Sequence, residues 1–126
     1  MPREPLFPPG TRAGGPYSPA VIASGRMLYV ASQGPVDPAT GAIVGGGSFE
    51  AEARQTLSNL QRVVEGSGGS LANAVKVTVF LRDFATFAAF NEVYVSFFPE
   101  PRPARTTIQS NIPYGVSVDV IVALDA

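Results

Sequence analysis

The sequence predicts an α+β fold in which two helices cover one side of a β-sheet. Three observations predict it. Two stretches carry apolar residues at helical spacing, one run between them alternates with a period of two, and β-prone runs sit toward both ends of the chain. The order reads ββ-α-β-α-ββ. A chain of 126 residues with 45% hydrophobic content suits a single domain over 1–126. If the sheet face away from the helices is also apolar, that face needs a partner.

Residues 1–19 hold six of the twelve prolines together with Gly10, Gly14 and Gly15, so they exclude a regular helix or a central strand. We expect an extended N-terminal arm leading into Tyr17. Ala20–Ala23 and Met27–Ala31 are β-prone and separated by Ser24-Gly25-Arg26, which predicts a hairpin. Asp37-Pro38-Ala39-Thr40-Gly41 is a turn sequence, and Gly45-Gly46-Gly47 leads to Ser48, an N-cap residue type. The glycine run is only superficially like a phosphate cradle, since no Lys-Ser/Thr follows and no buried strand enters it. It reads as a loop and a helix entry.

From Ser48 a helix should carry Phe49, Ala53, Leu57, Leu60 and Val64 on one face and end at Gly66 and Gly68-Gly69. Ala74–Leu81 then alternates, with Val75, Val77, Val79 and Leu81 opposite Lys76, Thr78 and Phe80. This is a half-buried strand. Asp83 is placed to cap a second helix with the stripe Phe84, Phe87, Ala88, Tyr94, Val95 and Phe98, stopped by Pro99. Pro103–Ser110 and Val116–Leu124 read as an antiparallel pair across Asn111-Ile112-Pro113-Tyr114-Gly115.

Composition removes several chemistries. Nine Lys+Arg against ten Asp+Glu, with a pI near 5.3, give no basic footprint for a phosphate backbone, so no nucleic-acid partner is expected. Cysteine and histidine are absent, which removes disulfides, thiolate nucleophiles, Ser-His and Cys-His pairs and the usual zinc ligands. No apolar run reaches the roughly 20 residues of a membrane span, and Met-Pro-Arg-Glu-Pro does not begin a signal sequence. A soluble cytoplasmic protein is the expectation.

Arg105 would share a strand face with Thr107 and Gln109, a polar face in an otherwise apolar segment. Two explanations fit: a charged edge that protects the sheet, or a planar fork that receives a carboxylate. Asp119 sits between small or apolar neighbours on its own face, and pairing of the last two strands about Ile112 would set it opposite Arg105. That pair reads either as a structural ion pair or as a carboxylate orienting water beside a carboxylate-binding arginine. Asn91 falls inside the second helix's apolar stripe and should be hydrogen-bonded. Tyr17 closes the arm, either as a packing anchor or as a ring over a pocket.

Four segments, Gly15-Pro16-Tyr17-Ser18, Asp37-Pro38-Ala39-Thr40-Gly41, Asn91-Glu92-Val93-Tyr94 and above all Pro103-Ala104-Arg105-Thr106-Thr107, resemble the RidA/YjgF proteins in order and spacing. The resemblance covers almost the whole chain. It implies a chorismate-mutase-like fold, a homotrimer whose sheets close into a barrel, intersubunit pockets, and cofactor-independent hydrolysis of enamines and imines such as aminoacrylate. The product would be a keto acid and ammonia. By position, Arg105 matches the carboxylate-binding arginine, Tyr17 the pocket tyrosine, Asn91 the interface asparagine and Asp119 the water-orienting glutamate.

The chain departs from that family in three places: Asp119 is one methylene shorter than glutamate, Thr107 stands where a cysteine is common, and Ala31-Ser32-Gln33-Gly34-Pro35 replaces Ser-Gly-Gln-Ile-Pro. Ser32 thereby presents a backbone amide expected at a glycine, and a side chain there would narrow the pocket. The leading reading is an imine deaminase with a small imino or keto acid as partner. The alternatives are a non-catalytic keto-acid-binding protein, an aminomuconate-type catabolic deaminase, and the endoribonuclease role of some relatives, which the acidic pI and missing histidine disfavour.

Overall fold

A computed structural model describes residues 3–125. The chain forms β1 (Arg3–Leu6), β2 (Ala20–Ala23), β3 (Met27–Gln33), α1 (Phe49–Gly66), β4 (Ala74–Leu81), α2 (Phe87–Phe97), β5 (Ala104–Gln109) and β6 (Val116–Ala123), with short 3-10 turns at Leu71–Asn73 and Phe84–Thr86. Four strands make a mixed sheet in the order β3-β6-β4-β5, and α1 and α2 lie together on one side of it. The expected two-layer α+β architecture is thus present. The core between the layers contains Leu57, Leu60 and Val64 of α1, Phe90 and Tyr94 of α2, and Val77, Val79, Leu81, Val118, Val120 and Val122 of the sheet.

Helix α1 forms where its periodicity placed it. Ser48 is extended and its hydroxyl accepts from the Ala51 amide, while the helix ends at Gly66 and Gly68 takes a φ of 92°. Helix α2 differs at its start. Asp83 caps the 3-10 turn rather than the α-helix, accepting from the Ala85 amide at 2.9 Å. The α-helical phase therefore begins at Phe87, and its buried face is Phe90, Val93 and Tyr94, whereas Phe84 and Val95 of the expected stripe are about two-fifths exposed.

Two strand pairings differ from expectation. The predicted hairpin of Ala20–Ala23 with Met27–Ala31 does not form: β2 pairs with β1 of the N-terminal arm, and β3 pairs with β6. Gly25 does take a positive φ of 91°, but it redirects the chain between two sheets. Pairing with β6 sets Leu28 and Val30 beside Val122 and Val120 on the helix-covered face, burying more apolar surface than the half-exposed β2 offers. Over Arg3–Leu6 the arm is extended and, beyond what was expected of it, pairs with β2 as one strand of a two-stranded sheet; the expectation for residues 1 and 2 lies outside the described residues.

The second difference is that β5 and β6 are not neighbours. β4 lies between them, antiparallel to β6 and parallel to β5, with α2 as the crossover that a parallel pair requires. β4 and β6 are the strands with most buried positions, so the centre of the sheet is where they bury most. Along the register, Thr106 pairs with Thr78 and Thr78 with Asp119. Paired residues share a face, so Asp119 lies with Thr106, on the face opposite Arg105.

Candidate functional site

Arg105 projects from β5 toward the helices and is only 6% exposed. Its surroundings are aromatic on several sides. The guanidinium carbon lies 4.7 Å from the Tyr94 ring centroid, 5.4 Å from that of Tyr17, and 5.5 Å from those of Phe87 and Phe90. Nε donates to Thr107 Oγ1 at 3.0 Å and Nη2 donates to Asn91 Oδ1 at 2.7 Å. No carboxylate of the described residues pairs with it, and Nη1 is buried without a hydrogen-bond partner.

Each element supplies a part for a local reason. Alternation along β5 puts Arg105 and Thr107 on one face. Helical spacing from Phe87 through Phe90 and Asn91 to Tyr94 puts four α2 side chains over that face, so the asparagine inside an apolar stripe is the guanidinium's acceptor. The arm brings Tyr17. Ser18 N–H donates to Pro103 O at 3.0 Å and the Ser18 hydroxyl donates to Arg102 O, which fastens the arm to the approach of β5, and the Tyr17 hydroxyl accepts from the Gly14 amide at 3.1 Å.

Burial lowers the Arg105 pKa, opposed by the adjacent Tyr94 and Tyr17 hydroxyls, and burial also pushes the Tyr94 hydroxyl well above its ordinary value. The site is a desolvated cation with an open valence. An anion that reached it would gain charge-assisted hydrogen bonds in a setting with little competing water.

Of the residues singled out in the sequence, Tyr17, Asn91, Arg105 and Thr107 come together here. Ser32 and Asp119 form a second group on the uncovered face, where the Ser32 hydroxyl donates to Asp119 Oδ2 at 3.4 Å. The opposed Arg105–Asp119 pair inferred from a β5–β6 hairpin does not exist within one chain, because β4 intervenes and the two side chains leave the sheet on opposite faces. Sequence reasoning took Phe87 and Tyr94 as core stripe only and passed over Phe90. Their spacing around Asn91 was the available signal.

These features place the chain among known proteins. The family described as Endoribonuclease L-PSP matches residues 10–123, and the chain belongs to this family, that of the RidA/YjgF proteins. Its relatives include a RutC family protein of Pyrococcus horikoshii, 43% identical over 84% of this chain and 83% of the relative, and the 2-iminobutanoate/2-iminopropanoate deaminase of Capra hircus, 40% identical over 84% and 77%. Among solved structures, RidA from the Antarctic bacterium Psychrobacter sp. PAMC 21119 is similar at 37% identity with a TM-score of 0.72, covering 89% of this chain and 91% of that one. The YjgF gene product of E. coli is similar at 33% identity and a TM-score of 0.71, covering 88% and 90%.

Proposed function

We propose that this protein hydrolyses small enamine and imine derivatives of amino acids to the keto acid and ammonia, with Arg105 as the receptor for the substrate carboxylate. The observation that carries the reading is the buried Arg105 guanidinium, held by Asn91 and Thr107 and left with Nη1 unpaired and no acidic partner among the described residues. Sequence similarity to the goat and bovine proteins named 2-iminobutanoate/2-iminopropanoate deaminase, at 40% and 39% identity, supports the same chemistry.

Because Arg105 and Asp119 leave opposite faces, a site that uses both draws them from different copies of the chain. Arg105 belongs to one edge strand of the sheet, β5, while Ser32 belongs to the other edge strand, β3, with Asp119 on the adjacent β6. An intersubunit pocket in a homotrimer unites the two edges. The uncovered face favours such assembly, since it exposes Tyr29 at 73% and Ile108 at 44%.

In this reading the Arg105 fork fixes the carboxylate and the Tyr17 ring covers the pocket. A neighbouring copy's Asp119 accepts a hydrogen bond from a water, whose oxygen adds to the imine carbon as the nitrogen takes up a proton. The tetrahedral adduct then loses ammonia and the carbonyl forms. Imine plus water gives ketone plus ammonia, so atoms and charge balance without an electron acceptor. The Ser32 hydroxyl, held on Asp119, sets the direction of the shorter carboxylate and lines the substrate's path, with Thr107 and Asn91 keeping the fork in place.

The test is ammonia and keto-acid release from imino acids generated in situ by an amino-acid oxidase. Wild type should accelerate release and Arg105→Ala should abolish the effect; Asp119→Glu reports whether carboxylate length limits the rate. No acceleration by wild type, with retained keto-acid binding, would replace this reading by that of a binding protein. No helix among the described residues is long and apolar enough to cross a bilayer.

A further inference from the structure

A second cleft, of about 590 Å3, opens where the end of β5, the turn after β4 and the start of α1 meet, and Arg82, Asp83, Gln109, Glu52 and Phe49 contribute to its lining. Gln109 is four residues beyond Arg105 on β5, which at ~3.3 Å per residue separates the two by about 13 Å. The cleft is therefore a place of its own.

Three of its polar side chains share one feature: one atom is pinned by a backbone amide and the other is uncommitted. Glu52 Oε1 accepts from the Gly115 amide at 2.8 Å, Asp83 Oδ1 from the Ala85 amide at 2.9 Å, and Gln109 Oε1 from the Phe84 amide at 2.7 Å. Among the described residues this leaves Glu52 Oε2, Asp83 Oδ2 and the Gln109 amino group without a partner, on side chains whose other atom is already held. The Arg82 guanidinium makes no ion pair with any described residue. Glycines leave room for the acidic wall. A Cβ at Gly115 would lie 3.1 Å from Glu52 Oε1 and 3.2 Å from Phe49 Cδ1, and one at Gly45 would lie 2.4 Å from Glu52 Cγ.

From this arrangement we infer that the cleft is a binding site for a zwitterionic amino acid with an apolar side chain. A lone anion would meet Arg82 but also two carboxylates, and a lone amine would satisfy the carboxylates but leave the guanidinium unmatched. A molecule with both charged groups on one carbon meets Arg82 through its carboxylate and Glu52 and Asp83 through its ammonium group. Phe49 and the half-exposed Ile43 supply the apolar wall for the side chain. The inference does not depend on the activity proposed for Arg105.

The probe is L-leucine, followed by amide chemical shifts of the full chain in its native assembly. Saturable shifts should appear at Asp83, Gln109 and Gly115, and the corresponding keto acid and isoamylamine should each bind about tenfold more weakly or worse. Glu52→Gln and Asp83→Asn keep the acceptor atom that pins the backbone and remove only the charge, so both should still fold cooperatively, Glu52→Gln with a slightly lower melting temperature for the lost helix-dipole contribution, while weakening leucine binding by about tenfold. Arg82→Gln should do the same. A keto acid that binds as tightly as leucine, shifts that gather at Asn91 and Thr107, or no saturation up to about 50 mM would each overturn the inference. Loss of imine hydrolysis in Arg105→Ala with leucine binding intact would show the two sites to be independent, as expected.

Discussion

At the scale of single residues, Arg105 is held by two hydrogen bonds that serve different ends. Thr107 fixes Nε from the same strand, and Asn91 fixes Nη2 from the facing helix, so the planar fork has one orientation. Asn91→Ala leaves a buried charged donor without its acceptor and should cost about 1–3 kcal/mol of stability in chemical denaturation. Asn91→Asp, in contrast, would place an internal carboxylate on Nη2, beside the unpartnered Nη1, and its charge would compete with a bound acid. Arg105→Lys keeps the charge but loses the fork, and calorimetry with a small keto acid should show about tenfold weaker binding or more.

Tyr94 gives a prediction in pH. Its folded-state pKa is raised above the ordinary value of 10.0, chiefly by burial. Above pH 10 the unfolded chain releases the Tyr94 proton while the folded chain keeps it, so the unfolded state binds fewer protons and stability falls as pH rises. The stabilising contribution is complete below pH 10 and is lost on the alkaline side. Tyr94→Phe should flatten that alkaline decline in melting temperature; an unchanged slope would assign the decline to other groups.

At the scale of elements, the entry to α1 illustrates how local chemistry and packing agree. Ser48 caps the helix, and Glu50 and Glu52 lie in its first turn, where acidic groups suit the helix dipole. Ser48→Ala should cost about 1 kcal/mol, and Ser48→Asp should restore most of it. The start of α2 is built differently, by Asp83 and by Gln109 reaching across from β5 to the Phe84 amide. This ties the 3-10 turn to the strand and sets the phase that aims Phe87, Phe90, Asn91 and Tyr94 at Arg105. The stripe drawn from Phe84 onward missed that phase because a 3-10 turn advances the chain by a different angle from an α-helix.

At the scale of the whole molecule, the helices cover one face of the sheet and the other carries Tyr29 and Ile108 in the open beside Asp119. If three copies bury these faces, static light scattering should return three times the chain mass. Tyr29→Asp should then shift the mass downward and reduce imine hydrolysis with Arg105 untouched. A wild-type monomer that remains fully active would remove the shared Arg105–Asp119 site.

The sequence by itself determined the element order from β2 onward, the α1 cap and stripe, the alternating β4, and the candidacy of Arg105, Asn91, Thr107 and Tyr17, but not the strand β1. Those features rest on short-range periodicity and on residue types that need a partner when buried. The pairing of strands was not legible. Adjacent runs joined by Gly25 or by Pro113 and Gly115 look like hairpins locally, yet β3 and β6 join across the chain and β4 enters between β5 and β6. Only the tertiary structure could decide this, because the choice follows from how much apolar surface each pairing buries against the helices, a quantity that belongs to the assembled layers. The same choice put Arg105 among aromatic rings and Asp119 on the opposite face, where a one-residue offset in register and one intervening strand separate two side chains that the linear sequence had drawn together.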